Sequence, residues 1–508
     1  MIGQVDNLIP FSIWELGFIG LYLLSLIIVG TIGYRARKEE SLKDFYLAGN
    51  GVGFLVLVMT LYATQYSGNT LFAFSGKTYR IGLSWIMCLH FMTAIIVFYL
   101  LLAPKLFPIS KRKSFITPAD YIQDRYGSRF LTTLISILMI LAIANFLVAQ
   151  LMAMGRALQG VKSYDPDTAF IVGVIALAGV VVIYETLGGF RAVAWTDAIQ
   201  GVVLMMGFLI LMGMVWFWYG PPGDAIETIQ NRIASQGPGE GGSAEKPPNM
   251  IGVPGWSRCV EWVSYILIVG IGGAHYPQAI QRIFAAQSES VLKKSMIVMA
   301  FLPLATTLIV VLVGLYGIAY HPNLGADASS DTILTVICRT IQDSSLAGRI
   351  LVMVIFAAIF AALMSTADSV LLSMSSMFTK DIYGGLINPA ASEKRLTSVG
   401  KAFSWLLIVV AVILAISLRK QQTLVGLLDR KFDILIQVAP AFMLGLHWKR
   451  VSTKAVTLGA IVGLVISLTL AAVYGKVKPY NIHPGLYGLA VNLLICFVGS
   501  WLIPSRRQ

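Results

Sequence analysis

The sequence predicts an all-α polytopic membrane protein, on three observations. Hydrophobic residues make up 57% of the 508 positions and charged residues only 12%, a balance that no water-soluble domain of ordinary surface can bury. Apolar stretches recur at about the ~20 residues needed to cross hydrocarbon. Basic residues gather in alternate loops, as the loops on the cytoplasmic side of a membrane protein do.

The apolar stretches are 14–33, 54–75, 83–103, 129–154, 168–185, 195–218, 256–276, 296–319, 350–377, 399–417, 425–446, 456–474 and 486–503, giving about thirteen helices in one domain. Asp6 and Glu15 precede or enter the first stretch and the first arginine is Arg35, so no basic leader region is present and a cleaved signal peptide is not expected. If the N-terminus lies outside, the inner loops hold Arg35, Arg37, Lys38 and Lys43, then the group from Lys105 to Arg129. Arg282, Lys293 and Lys294 follow, then Lys380, Lys394, Arg395 and Lys401, then Lys449, Arg450 and Lys454, and finally Arg506 and Arg507. Outer loops carry about two each, so the expected setting is the plasma (cell inner) membrane, with the C-terminus cytoplasmic. The +13 net charge then faces an anionic inner leaflet and does not imply nucleic acid. The stretch 220–255 is rich in Gly, Pro, Glu and Asn and reads as an external loop with one short helix near Ala225–Ala234.

Four scattered cysteines, Cys88, Cys259, Cys338 and Cys496, indicate neither a disulfide framework nor a zinc site. No GxxxxGK[ST] phosphate-binding loop occurs, which argues against transport powered by ATP within this chain. Neither catalysis nor an organic cofactor is expected.

Polar residues inside the apolar stretches carry the functional signal. Tyr62-Ala-Thr-Gln-Tyr-Ser-Gly-Asn-Thr70 interrupts the second stretch and predicts a broken helix. Unwound backbone at membrane depth frees carbonyl oxygens for a cation and a half-helix N-terminus for an anionic group. The plainer alternative is that Ser67, Gly68 and Thr70 are small residues that let helices pack closely. Ala361-Ala-Leu-Met-Ser-Thr-Ala-Asp-Ser369 sets Ser365, Asp368 and Ser369 on one helical face, an array of hard oxygens suited to a small cation. Ser373, Ser375 and Ser376 read as hydroxyls bonded to the carbonyl one turn back. Asp197 follows the turn Leu187-Gly-Gly-Phe-Arg191 and is expected near the inner end of its helix, lining an ion exit path or else pairing with Arg191. Asp429, Arg430, Lys431 and Asp433 read as a solvated mouth.

With these motifs assembled, the chain resembles the sodium:solute symporter family, which includes sodium/glucose, sodium/proline and sodium/pantothenate transporters. The resemblance rests on Tyr184-Glu-Thr-Leu-Gly-Gly-Phe-Arg-Ala-Val-Ala-Trp-Thr-Asp-Ala-Ile-Gln200, Gln281-Arg-Ile-Phe-Ala-Ala286, Met364-Ser-Thr-Ala-Asp-Ser369, Thr379-Lys-Asp-Ile-Tyr383 and Leu446-His-Trp-Lys-Arg450. It implies a leucine-transporter-type fold working by alternating access. The 5+5 inverted repeat would span roughly 54–218 and 256–446, flanked by 14–33, 456–474 and 486–503, with Gly270-Ile-Gly-Gly-Ala-His-Tyr-Pro-Gln278 interrupting the inverted mate of the broken helix.

The resemblance also implies sites. A first sodium site falls on Ala63, Tyr66, Ala362, Ser365 and Thr366, and a second sodium or exit path on Asp197, Asp368 and Ser369, alongside Ser365. Asp368 stands where relatives often carry a hydroxyl, so either sodium or a proton suits it. Candidate substrate residues are Gln65, Ser67, Asn69, Thr70 and Gln278. Leu89 and Gly272-Gly273 replace the acid and aromatic gates of the galactose branch, which disfavours sugar, and Gln65 stands where the proline branch has an aspartate. The expected partners are a small organic solute, a carboxylic acid, an amino acid or a pantothenate-like compound, together with Na+ and lipid, and a monomer is the expected state. The competing expectations are a proton-coupled transporter of the same fold using Asp368 and Asp197, an uncoupled facilitator, and a symporter-like membrane sensor, for which no signalling segment follows the last helix.

Overall fold

The computed structural model describes residues 12–36, 41–68, 70–159, 165–235, 250–324, 330–419, 424–475 and 478–503. The helices needed below are α1 (Ile13–Arg35), α2 (Phe54–Gln65), α3 (Ser75–Ile81), α4 (Met87–Lys113), α5 (Arg129–Leu158) and α6 (Pro166–Tyr219). They continue with α7 (Trp256–Ala274), α8 (Pro277–Ala285), α9 (Glu289–Tyr320), α10 (Leu346–Met377) and α11 (Glu393–Leu418). The last four are α12 (Leu424–Leu435), α13 (Ala439–His447), α14 (Thr453–Tyr474) and α15 (Pro484–Leu502). No strand is present among the described residues; one isolated bridge joins Val52 to Ala286.

Nine of the described helical spans are long and apolar enough to cross a membrane, or ten if the bent pair α7–α8 counts as one. That differs from about thirteen, for two physical reasons. The stretches 168–185 and 195–218 run on as one 54-residue element, α6, turned at Gly189, where φ is 59° and ψ −151°. The stretches 54–75 and 425–446 are interrupted, so that α2 with α3, and α12 with α13, are separate short helices.

Burial sorts the helices. On α10 every residue from Ile355 to Met377 is buried, the mark of a helix that is apolar all round and sits at the centre of a bundle. On α1 the side chains of Trp14, Leu21, Leu24, Ile28 and Ile32 are exposed, and α11 exposes Trp405, Leu406, Val409 and Ile413, apolar faces of the kind that meet lipid. Serines on α10 join it to its neighbours. Ser373 donates to Gln281 Oε1 of α8 at 2.5 Å, Gln281 Nε2 donates to Ser376 at 2.5 Å, and Ser375 donates to the Gly400 carbonyl of α11 at 2.8 Å. Only Ser376 of the three bonds back along its own helix, to Ser373 O at 2.8 Å. The expectation of local back-bonding fails for Ser373 and Ser375 because facing helices offer acceptors in a medium without water.

The segment expected to be external includes a helix, Pro222–Ser235, whose Arg232 donates to the Ile318 carbonyl at 2.7 Å and to the Ala319 carbonyl, capping the end of α9. Two interruptions set up the interior. α2 ends at Gln65, and Tyr66 leaves the helix with φ −100° and ψ 98° before a π-helical segment, Thr70–Phe74, leads into α3. α7 and α8 meet at His275–Tyr276 with a bend of 48°.

Gly189, like Gly82, is a position where the backbone requires glycine. Its torsions fall in a region reached almost only by glycine, and a Cβ there would stand 2.5 Å from the Phe45 carbonyl oxygen. Gly189→Ala is expected to cost on the order of 1–3 kcal/mol, read as a lower melting temperature of the purified protein.

Candidate functional site

At the unwinding end of α2, the Ala63 carbonyl meets two hydroxyls of α10. Ser365 Oγ lies 3.0 Å from Ala63 O and Thr366 Oγ1 3.4 Å from it, and the same hydroxyls lie 3.2 and 3.0 Å from the Ala362 carbonyl. All four residues are buried. Two carbonyls and two hydroxyls from two helices thus converge, the hard-oxygen environment a small alkali cation takes. The carbonyl of Ala63 is available to α10 because the helix stops one turn later. Tyr66 stands at that stop, buried with its ring 5.0 Å from that of Tyr62, and no hydrogen bond ties it to the four oxygens among the described residues.

One turn further along α10 lies a second polar cluster. Arg282 of α8, 1% exposed, donates from Nη2 to Asp197 Oδ2 at 2.6 Å and to Ser369 Oγ at 2.5 Å, and from Nε to Thr60 Oγ1 of α2 at 2.7 Å. Thr60 also donates to Asp197, and Arg282 Nη1 is anchored by the Gln278 carbonyl at 2.9 Å. Ser369 lies 3.1 Å from Asp368 Oδ1, and Asp368 Oδ2 accepts from the Tyr184 hydroxyl at 2.5 Å. Thr64 Oγ1 is 3.3 Å from Ser369 Oγ, which links the cluster to the break in α2.

Two expectations are corrected here. Arg282 is not in an inner loop, because its three donor contacts and the Asp197 carboxylate take the place of water. Asp197 does not pair with Arg191 but with Arg282. It is fully buried, while Arg191 pairs with Asp44 at 2.6 Å. The Gln281-Arg282 dipeptide in an otherwise apolar segment was the signal in the sequence for a buried guanidinium. Thr60, Thr64 and Tyr184 gave none, since their importance comes from which helices face each other.

The cluster sets two carboxylates, Asp197 and Asp368, against one guanidinium. Asp197 Oδ1 has no hydrogen-bond partner among the described residues. A cation, or a proton on Asp368, would balance the remaining charge, so the donor set fits the second ion position that the family resemblance implies.

Beside the break lies a cavity. Thr64, Gln65, Ser67 and Thr70 line one side of it, and Trp85, Phe91, Tyr265 and Tyr276 are among the aromatic residues that line the rest. Gln278 is not among its lining residues, its carbonyl being engaged with Arg282, and Asn69 lies outside the described residues. Leu89 does not line it either. At Gly272 an added Cβ would stand 3.0 Å from the Phe432 ring, so α12 supplies an aromatic ring where α7 carries glycine. The expected solvated mouth is only partly so. Lys431 and Asp433 are 3% and 1% exposed, Asp433 accepting from Gly485 N at 2.7 Å and from Arg430 at 3.1 Å, because α7 and α15 close over that end of α12.

A helical bundle with two interrupted helices, oxygen ligands at one break and a buried cavity beside it defines a membrane transporter of leucine-transporter-type fold. The structure is similar to that of a Na+-coupled sialic acid symporter in its substrate-bound outward-open state, with TM-score 0.77 and 21% identity over 98% of this chain and 99% of that one. It is also similar to that of MhsT in complex with L-phenylalanine, with TM-score 0.51 and 15% identity over 89% and 99%. The model of the sodium:solute symporter family matches residues 45–466, and the chain belongs to that family. Among its relatives, the high-affinity proline transporter PutP of Bacillus subtilis (strain 168) is 28% identical over 94% of this chain and 96% of its own length. The sodium/glucose cotransporter of Vibrio parahaemolyticus is 28% identical over 89% and 83%. The sodium/pantothenate symporter of Escherichia coli (strain K12) is 24% identical over 94% of each.

Arg282 and Asp197 should be energetically coupled. Asp197→Asn and Arg282→Gln are each expected to cost about 3–5 kcal/mol, because each leaves an uncompensated buried charge. The double variant should cost clearly less than the two together, a coupling read from melting temperatures in a double-mutant cycle.

Proposed function

We propose that the protein is a sodium-coupled symporter that imports a small organic solute by alternating access, with a carboxylated solute favoured over sugar. The observation that carries this reading is the meeting of the Ala63 carbonyl with the Ser365 and Thr366 hydroxyls, one residue before the first cavity-lining side chain, Thr64. A sodium ion held by Ala63, Ala362, Ser365 and Thr366, with Tyr66 at the break, would tie α2 to α10 and fix Thr64, Gln65 and Ser67 in the cavity wall. Sodium would then raise solute affinity, and linkage requires the solute to raise sodium affinity by the same factor. The solute-facing residues in this reading are Gln65, Ser67 and Thr70, with Asn69 beside them in sequence. A plasma-membrane setting with the N-terminus outside agrees with the distribution of basic residues, and one chain is the working unit.

A second ion position at Asp197, Asp368 and Ser369 belongs to the same reading. A proton on Asp368 is the alternative occupant, favoured by its full burial beside a second carboxylate, Asp197, which Arg282 already pairs. In that case Asp368 would load and release the proton as it is alternately exposed.

Two measurements of uptake in proteoliposomes bear on these assignments. Ser365→Ala or Thr366→Ala should raise the half-saturating sodium concentration roughly tenfold, the factor that 1.4 kcal/mol of lost ion contact represents, and an unchanged value removes them from the site. Wild-type uptake should require sodium at every pH. Uptake that follows a proton gradient in sodium-free buffer, and is lost in Asp368→Asn, would favour the proton-coupled reading instead.

A further inference from the structure

Lys431 is a cation placed where neither the fold nor the ion sites use one. It lines the cavity beside the broken helix and is 3% exposed. Its ammonium lies 3.3 Å from the ring centroid of Phe146, 4.7 Å from that of Phe432 and 4.8 Å from that of Tyr276, in a box of three aromatic faces contributed by α5, α12 and the α7–α8 break. Phe146 and Tyr276 are parallel to within 5°, so the box is an ordered one. Aromatic faces hold an ammonium by their quadrupoles but do not neutralise it. Among the described residues no carboxylate is within ion-pair distance of Lys431 and no hydrogen bond reaches its nitrogen.

The neighbouring carboxylates are already paired. Asp429, which also lines the cavity, lies 3.8 Å from Lys478 Nζ and 3.5 Å from the Tyr265 hydroxyl. Glu261 pairs with Arg258 and Lys478, and Asp433 with Arg430. What the cavity lacks is therefore an anion, not a second cation. Across the cavity from the box, Gln65 presents an Nε2 that has no hydrogen-bond partner among the described residues, a further donor without an acceptor.

We propose that Lys431 binds the carboxylate of the transported solute, and that the solute is a small monocarboxylate whose remaining body is apolar. This rests on the symporter reading given above and narrows its substrate class. The carboxylate would supply the countercharge Lys431 lacks, and the aromatic wall formed by Phe74, Trp85, Phe91 and Phe432 would receive the apolar remainder. An amino acid would bring an ammonium for which the cavity offers only Asp429, already engaged. The charge requirement also makes the buried lysine a selectivity device. A neutral analogue leaves the ammonium unmatched in a dry site, a penalty that discriminates more sharply than shape does.

The test uses the full-length protein in detergent and reads melting temperature, since a ligand that binds only the folded state stabilises it with occupancy. The probes are propionate, butyrate, lactate, pyruvate and benzoate, their amides, and proline and alanine as zwitterions, each in sodium and in potassium buffer. At least one carboxylate is expected to stabilise the wild type in sodium, with its amide at least tenfold weaker. Lys431→Met should lose that response by tenfold or more while keeping the stabilisation by sodium alone, and Lys431→Arg should keep part of it. The wild-type comparison of carboxylate with amide stands even if Lys431→Met does not fold. Stabilisation by amides as well as carboxylates, by zwitterions only, or by no carboxylate at all overturns the proposal, as does an undiminished response in Lys431→Met. If sodium has no effect on the wild type, alone or with any probe, the symporter reading itself fails. If sodium stabilises but carboxylates do not, only the assignment of Lys431 fails.

Discussion

The guanidinium of Arg282 is the contact around which the interior is arranged. It joins α8 to α6 through Asp197, to α2 through Thr60 and to α10 through Ser369, with its own Gln278 carbonyl as a fourth anchor. A charge buried in a bundle surrounded by hydrocarbon is tolerated only where its countercharge and hydrogen bonds are in place, so these partners constrain one another's positions. The helices brought together this way include both that form the four-oxygen cluster and one limb of each interrupted helix. The two oxygen clusters and the cavity wall are therefore built on the same constraint.

The two clusters on α10 are separated by a single helical turn, yet their chemistry differs. At Ser365 and Thr366 every ligand is neutral, so a bound cation would gain attraction from carbonyl and hydroxyl dipoles and remain free to leave. At Ser369 the ligands are charged and already partly compensated by Arg282, so an ion there would exchange against a fixed internal cation. Thr64 touches the second cluster, follows Ala63 of the first and lines the cavity, which makes the last turn of α2 the physical link among the three.

A symmetry of charge handling runs through the molecule. Around Asp197 a guanidinium faces an excess of carboxylate, whereas in the cavity the Lys431 ammonium has no carboxylate within ion-pair distance among the described residues, and the two regions are joined by α2 and α8. The first is suited to receive a cation and the second an anion. Filling both would bring a neutral pair into the bundle, which costs less in low dielectric than either charge alone.

The transmembrane character, the breaks near 66–68 and 275–276 and the cluster of hydroxyls on α10 could be read from composition and local pattern, because hydropathy, glycine and proline placement and helical spacing are properties of neighbouring residues. The same local logic put Arg282 in a loop and Lys431 at a solvated mouth, since a charged residue is by default taken as solvated unless its partner is known. The partners of Arg282 lie 85 and 222 residues away in sequence, at Asp197 and Thr60, and the box around Lys431 comes from helices on both sides of the bundle. Burial of a charge is settled by long-range packing, which decides whether water or a distant side chain surrounds it. Sequence hydropathy therefore determined that the chain is a helical membrane protein and where its helices break, and the tertiary structure alone decided which of its charges are structural, which are left unmatched and what could match them.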